Sequence, residues 1–308
     1  MSAARISTSS GMNVSTFARQ STDQLLEMDA EIFRAKFNRK PFLIAHDLVN
    51  HPLFTLAQLI ELSKRLPAEN VRYNAGDIFP GTTLYEGPQT GLSIEETIRR
   101  IEECRSWMVL KWVQQDAAYS AVLDRCLDEV SAYSEPLDPG MCKREAFIFV
   151  TSPSSTTPYH MDPEYSFLLQ IKGKKTVYIL DGSNLSEEEL ERYYSAGKDP
   201  VFTEACREKA MRFDLRPGLG LHFPVTVPHW VETHDEYCIS FSVTFRTAES
   251  ERRSVVYDVN DSLRRRGLSP APYGQSTLRD SVKFHAFRAA RRARRLLGLA
   301  EPTNARKY

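Results

Sequence analysis

The sequence predicts an α+β fold, with a run of short antiparallel strands flanked by helical segments. Three observations carry that prediction. Between Glu145 and Thr247, apolar and β-branched stretches of four to seven residues recur, divided by turn signals at Lys172-Gly173, Asp181-Gly182 and Pro217-Gly218. Ahead of them, helix-period segments alternate with isolated strands, which gives a mixed N-terminal α/β region. Behind them, after Arg246, the chain turns polar and helical. Short strands at such spacing point to a jelly roll or antiparallel barrel.

Each element has its own signal. Ser21-Thr22-Asp23-Gln24 resembles a helix start, with Leu25, Leu26, Met28, Ile32 and Phe33 as its apolar stripe. Pro41 to Ile44 reads as a strand, Thr55 to Arg65 as an amphipathic helix and Ile94 to Cys104 as another. Trp107 to Leu110 is a buried strand, and Tyr119 to Tyr133 is helical. The predicted core strands are Ala146–Val150, Ser166–Ile171, Thr176–Leu180, Gly220–Phe223 and Ile239–Phe245, with a helix from Ser186 to Ala196 inserted among them. Thr277 to Asp280 resembles a capping box with Asp in place of Glu, opening a helix that stops near Gly298. The resulting division is a disordered leader over residues 1–20, a domain over 21–250 with its strand core at about 145–247, and a helical basic tail over 251–308.

Bulk properties exclude some classes. At 308 residues with 42% hydrophobic content the chain can bury a sizeable core, and 40 basic against 40 acidic residues leave no net charge to favour a polyanion or polycation. No apolar run is long enough to span a bilayer, and the Ser-rich first twenty residues lack a secretory h-region. Five cysteines (104, 126, 142, 206, 238) without CxxC spacing suit a reducing compartment, so the expected location is the cytoplasm. Charge is uneven, however. From Arg279 to Tyr308 nine Lys/Arg face Asp280 and Glu301, a net +7. Such a helix could contact nucleic acid, anionic lipid or an acidic surface, or dock with its basic face solvated. No seam for a homodimer is legible, although a dimer is compatible with the sequence.

One constellation carries chemistry. His160-x-Asp162 places two ligand-type side chains at i and i+2, which on a strand share a face, and Pro228-His229-Trp230 supplies a second imidazole. Two imidazoles and one carboxylate form the facial ligand set of non-haem Fe(II), which leaves positions open for oxygen and a co-substrate. A lone HxD triplet is weak by itself. Its surroundings strengthen it: Thr157-Pro158-x-His160-x-Asp162 leads into Phe167-Leu168-x-Gln170-Ile171-x-Gly173-x-Lys175, and Phe223-Pro224 precedes Pro228-His229-Trp230-Val231-Glu232.

These segments, spanning roughly Ala146 to Thr247, resemble the JmjC/cupin-like family of Fe(II)- and 2-oxoglutarate-dependent oxygenases. The resemblance implies a double-stranded β-helix of jelly-roll, cupin-like type. It also implies that His160, Asp162 and His229 hold iron and act in catalysis. Lys175 would pair with the distal carboxylate of 2-oxoglutarate, and Thr157 would hydrogen-bond the same group. Two positions depart from the family pattern. Ser166 stands where many relatives carry an asparagine, and an expected amide is replaced by Ser242 or Thr244. Hydroxyls can take over such bonds, so Ser166 and Thr244 join the expected co-substrate set. Lys172 and Lys174 are expected to face solvent. The implied activity is hydroxylation of a peptide, protein side chain or small metabolite, using O2 and 2-oxoglutarate. The competing function is a cupin-like binding or regulatory protein, with a structural or vacant metal site and the basic helix contacting nucleic acid or a partner. Lysine demethylation has no support, since no reader domain or zinc cluster accompanies the core.

Other candidates have plainer readings. His222 lies seven residues before His229 and is the less fitting third ligand; His46, His51, His234 and His285 read as structural or solvated. Glu164 and Tyr165 follow the HxD and could face the site mouth. Tyr159 and Trp230 flank ligands and read as packing. Tyr73 and Trp112 are candidate contacts from the N-terminal half.

Overall fold

The computed structural model describes residues 24–182 and 185–298. The proposed leader, the helix start at residues 21–23 and the chain beyond Gly298 lie outside them.

Two sheets face one another. The larger has eight strands: β1 (Leu26–Glu27), β2 (Phe42–His46), β3 (Val71–Ala75), β4 (Ser106–Lys111), β5 (Cys142–Thr151), β7 (Tyr165–Lys172), β10 (Leu219–Phe223) and β12 (Cys238–Arg246). Their order is β1-β2-β10-β7-β12-β5-β4-β3. The smaller sheet comprises β6 (Thr156–His160), β8 (Lys175–Ile179), β9 (Met211–Leu215) and β11 (His229–Thr233), in the order β6-β11-β8-β9. Every pairing is antiparallel. This is the expected jelly roll, extended by β1 and β2 at one edge and by β3 and β4 at the other.

The two-residue period of the strands explains the layers. On β12, Ile239, Phe241, Val243 and Phe245 enter a core shared with the N-terminal helices, as do Ala146, Ile148 and Val150 of β5 and Phe167 and Leu169 of β7. The helices on that face are α1 (Ala30–Lys36), α2 (Leu56–Arg65), α3 (Ile94–Arg99) and α4 (Ala117–Ser134). The alternate residues, Ser240, Ser242 and Thr244 on β12 and Phe147 and Phe149 on β5, face the small sheet. A second apolar cluster, including Leu168, Val177, Ile179, Leu221 and Val231, fills the space between the sheets. Polar and aromatic side chains therefore line one end of the interior, and aliphatic ones seal the other.

The remaining helices are α5 (Glu187–Ala196), α6 (Glu204–Lys209), α7 (Ala248–Arg264) and α8 (Thr277–Leu296). A capping box at Ser186 and Glu189 starts α5, and Gly197 in the left-handed conformation ends it. α7 docks on α5 through Ser195 Oγ donating to Asp261 (2.7 Å) and an Arg264–Glu191 ion pair. α8 rests on α7, with Lys283 donating to Asn260 (2.6 Å). Beyond Arg288 every described side chain of α8 is exposed.

Several elements differ from expectation. Leu25 and Leu26 are not the first turn of a helix: Leu26–Glu27 is an edge strand, and the helix begins only after Asp29, whose side chain accepts from the Glu31 and Ile32 amides. Two carboxylate oxygens of Glu129 hold the Leu25 and Leu26 amides, so a tertiary contact overrides the local apolar spacing. The α8 cap is Ser276, whose Oγ accepts from the Arg279 amide, so the cap lies one residue before the expected Thr277 and is a simple N-cap rather than a box. The helix predicted to Cys104 ends at Arg99. β3, β6, β9, β11 and α6 had no clear sequence signal.

Candidate active site

Strand register brings the two imidazoles together. β6 and β11 pair antiparallel with His229 opposite His160, so residues far apart in sequence become cross-strand neighbours with ring centroids 4.2 Å apart. The expectation that His160 and Asp162 share a face of one strand is corrected. β6 ends at His160, and Asp162 sits in the connection to β7. There the Asp162 carbonyl accepts from the Thr226 amide at 2.7 Å, which ties this turn to the loop before β11. The Met161 amide donates to Asp199 (2.9 Å), and the Tyr193 hydroxyl donates to the Met161 carbonyl (2.8 Å). The carboxylate is placed by a braced turn rather than by pleat alternation.

Both rings are oriented from behind. His160 Nδ1 lies 2.6 Å from the Pro158 carbonyl and His229 Nδ1 lies 3.0 Å from the Val227 carbonyl. A carbonyl only accepts, so each Nδ1 carries the proton and each Nε2 presents a lone pair. The Nε2 atoms face Asp162, at 3.9 Å for His160 and 3.6 Å for His229. Burial, with the neighbouring His160, pushes the His229 pKa down to about 4, so the ring stays neutral as a ligand requires. One ligand atom from each of His160, Asp162 and His229 lies within 4.8 Å of the others. This donor set fits a dication with open coordination positions.

Two connected chambers meet at this cluster. The inner one, of about 370 Å³, is lined by Phe149, Thr157, Ser166, Leu168, Lys175, Phe223, Val231 and Ser242 as well as the cluster. Lys175 opens β8 and is 3% exposed. Burial lowers its pKa to about 8, and no carboxylate among the described residues pairs with its ammonium. A buried unpaired cation is costly unless an anion joins it, so the inner chamber fits a ligand carboxylate. Lys172 and Lys174 are exposed, as expected. The Thr157 hydroxyl accepts the Trp107 indole N–H at 2.7 Å, which frees its own proton for donation into the chamber. Ser166 and Ser242 hydroxyls lie 3.1 Å apart and fill the position expected to hold amides.

The outer chamber, of about 490 Å³, is lined by Leu84, Tyr85, Trp107, Val109, Phe147, Glu164 and Thr244, and shares Phe149, Thr157, His160, Asp162 and Ser242 with the inner one. Thr244 therefore stands apart from Lys175, and its hydroxyl donates to the Glu145 carbonyl at 3.2 Å. Glu164 is buried and bonded to Arg246, which also binds Glu251 at 3.0 Å. Burial raises the Glu164 carboxyl well above the usual range, while Arg246 works against that shift.

Other candidates fall outside the chambers. His222 is fully buried among Phe37, Phe42 and Phe167, bonded to the Ser166 carbonyl (3.0 Å) and the Asn38 amide (3.3 Å). Its place is the helix-side core. Tyr165 packs on Phe37 and Phe245 and binds Asp138. Tyr159 and Trp230 form an aromatic cluster with Phe202 behind the ligands. The Tyr73 hydroxyl donates to the Leu92 carbonyl, and Trp112 packs on Phe147. His46, His51 and His234 each serve a local hydrogen bond, and His285 lies on α8 beside Phe284. Sequence reasoning missed the chamber walls Tyr85, Trp107, Phe147 and Phe149. Only the alternation of large residues on β4 and β5 hinted at them.

Comparison with known proteins agrees with this architecture. Residues 124–252 match the model of the JmjC domain. The structure is similar to that of Escherichia coli YcfD, with a TM-score of 0.53 at 16% identity over 87% of this chain and 69% of that one. Two further structures from the same organism score lower. These are the ribosomal oxygenase YcfD (TM-score 0.49, 17% identity, 87% and 67% covered) and its complex with cobalt and 2-oxoglutarate (TM-score 0.49, 15% identity, 87% and 67% covered). Curated protein sequences give no match. The jelly roll is thus of the JmjC/cupin-like type, and the His160-Asp162-His229 cluster lies inside the segment that matches the JmjC domain.

Proposed function

We propose that this oxygenase hydroxylates a carbon of a peptide, protein side chain or small metabolite that enters through the outer chamber. His160, Asp162 and His229 would hold the iron, and Lys175, with Thr157, Ser166 and Ser242, would hold 2-oxoglutarate. When bound, iron and co-substrate supply the oxidising chemistry by coupling decarboxylation of 2-oxoglutarate, with uptake of O2, to oxidation of the substrate. The chain's own part is geometric. The paired Nδ1–carbonyl bonds fix the imidazoles, the braced turn fixes Asp162, and the aromatic walls exclude water.

The observation that carries this reading is the buried, unpaired ammonium of Lys175 in a chamber that opens onto the three ligand atoms. A cupin-like protein with only a structural metal would have no use for it. The test is succinate formation from 2-oxoglutarate by the Fe(II)-loaded chain. Oxygen-dependent release is expected, and it should be lost in Asp162→Ala. Release that is oxygen-independent, or unchanged in that variant, would overturn the proposal. A second role, nucleic-acid contact by the basic α8, draws support from its exposed Arg-rich surface. The full chain should bind duplex RNA in a salt-sensitive way and a chain truncated after Ser276 should not; absence of such binding by the full chain removes the role.

A further inference from the structure

Lys111 closes β4 and is 5% exposed. It follows Trp107 and Val109 at two-residue steps, and both of those line the outer chamber, so its side chain leaves the sheet on the same face. Its ammonium sits 3.9 Å above the ring of Tyr85 and 6.0 Å from that of Trp112. Tyr85 is itself a wall of the outer chamber, held at a left-handed φ of 69° that a tyrosine rarely adopts. No carboxylate among the described residues pairs with Lys111. The charge that acts on it is that of Arg72, which has the same sign.

Charge accounting around the two chambers isolates this lysine. A dication, the Asp162 carboxylate, a dianionic co-substrate and the Lys175 ammonium would sum to zero. Glu164 in the outer chamber is matched by Arg246. Glu145, two residues from Phe147 on β5, is under the charges of Arg246 and Lys143 and not that of Lys111, so Lys111 keeps no counter-charge among the described residues. A ring face offsets part of the desolvation of an ammonium but provides no counter-charge. Resting on the oxygenase reading, we propose that Lys111 is a specificity residue whose ammonium binds a carboxylate of the substrate, while the aromatic walls take its apolar body. The substrate class is thus an anionic one, either a small aromatic or aliphatic acid or an acidic or C-terminal group of a peptide.

The experiment uses the full chain loaded with Fe(II) and saturating 2-oxoglutarate without oxygen, and calorimetry of two matched probe pairs. N-acetylphenylalanine against N-acetylphenylalaninamide represents a free acid or chain terminus. Acetyl-Ala-Glu-Ala-amide against its Gln counterpart represents an acidic side chain. In at least one pair the acid should bind about tenfold or more tighter, the scale of one charge-assisted bond, and the favoured pair identifies the source. Lys111→Met should abolish that preference and Lys111→Arg should restore most of it, with 2-oxoglutarate affinity unchanged in both. Equal binding of acid and neutral partner by the unaltered chain overturns the proposal even if Lys111→Met does not fold. A preference that survives in Lys111→Met overturns it too. Failure to bind 2-oxoglutarate at all would instead count against the oxygenase reading.

Discussion

At the scale of residues, the site turns on two buried lysines that have no counter-ion among the described residues, and their energetics can be separated from catalysis. Lys175 titrates at about 8 in the folded chain against an ordinary lysine value of 10.5. Its folded pKa is lowered, so burial of the ammonium destabilises the fold fully below pH 8. The cost is relieved as pH rises from about 8 towards 10.5, where the unfolded chain still holds the proton. The difference corresponds to about 3 kcal/mol. Lys175→Met should therefore stabilise the ligand-free chain at pH 7 by roughly that amount. The gain should shrink as pH rises from about 8 to 10.5 in thermal or urea unfolding. The same variant should weaken 2-oxoglutarate binding at least about a hundredfold, the scale of a lost buried ion pair, while retaining Fe(II). For the unaltered chain, 2-oxoglutarate affinity should fall as pH passes above 8, because the ammonium that would receive the carboxylate is lost. A flat affinity between pH 7 and 10 would mean that Lys175 does not bind the co-substrate.

At the scale of elements, positions are set by turns as much as by strands. Gly173 joins β7 to β8 at a φ of +74°, and a Cβ there would lie 2.3 Å from the Tyr237 carbonyl oxygen. Gly173→Ala must move that backbone, so it should cost more than about 1 kcal/mol in unfolding free energy. It should also lower 2-oxoglutarate affinity by shifting Lys175, two residues on. Loss of stability with an intact co-substrate site would show that the turn does not position Lys175. Trp107 connects β4, the strand next to the edge, to the site through its bond to Thr157. Trp107→Phe should leave Fe(II) binding intact and raise the Kd for 2-oxoglutarate by about threefold to tenfold, the range of one neutral hydrogen bond. Unchanged affinity would remove Thr157 from the co-substrate set.

Elements also show where the sequence was legible. β5, β7 and β12 stood out because they are buried on both faces and read as long runs of apolar and hydroxyl residues. β6 and β11, which carry the histidines, are short and rich in Pro, His and Thr, so no periodicity marks them. Their ligand residues were recognisable from motif and spacing alone. Asp162 reaches the cluster by another route than the pleat alternation its spacing suggested, since turn bracing from Thr226, Asp199 and Tyr193 is long-range and leaves no local trace. Strand alternation leaves Lys174 and Lys175 ambiguous, and only the spacing of the family that the chain resembles favours Lys175. Tyr85 and Lys111 were invisible, because one lies on an irregular loop and the other at a strand end.

At the scale of the whole molecule, the jelly roll has an aliphatic end and a functional end; α1 to α4 cover the outer face of the large sheet, and Cys206 of α6 packs with Tyr159 and Trp230 of the small one. α7 is bound to α5 by a Ser195–Asp261 bond and an Arg264–Glu191 pair, so it belongs to the folded body. α8 contributes a single buried residue, Asp280. A chain ending at Ser276 should keep the iron and 2-oxoglutarate affinities of the full chain and lose only modestly in Tm. A collapse of co-substrate binding on that truncation would show α8 to be part of the site's support. The described helices include none long and apolar enough to cross a membrane.

The central claim is that His160, Asp162 and His229 hold a metal beside a 2-oxoglutarate site anchored by Lys175. Its most direct measurement is the visible spectrum of the full chain titrated anaerobically with Fe(II) and 2-oxoglutarate. A weak metal-to-ligand charge-transfer band should appear only when both are present. It should vanish in His160→Ala and Asp162→Ala, and require far more 2-oxoglutarate in Lys175→Met. No band in the unaltered chain, or an undiminished one in the ligand variants, would contradict the account.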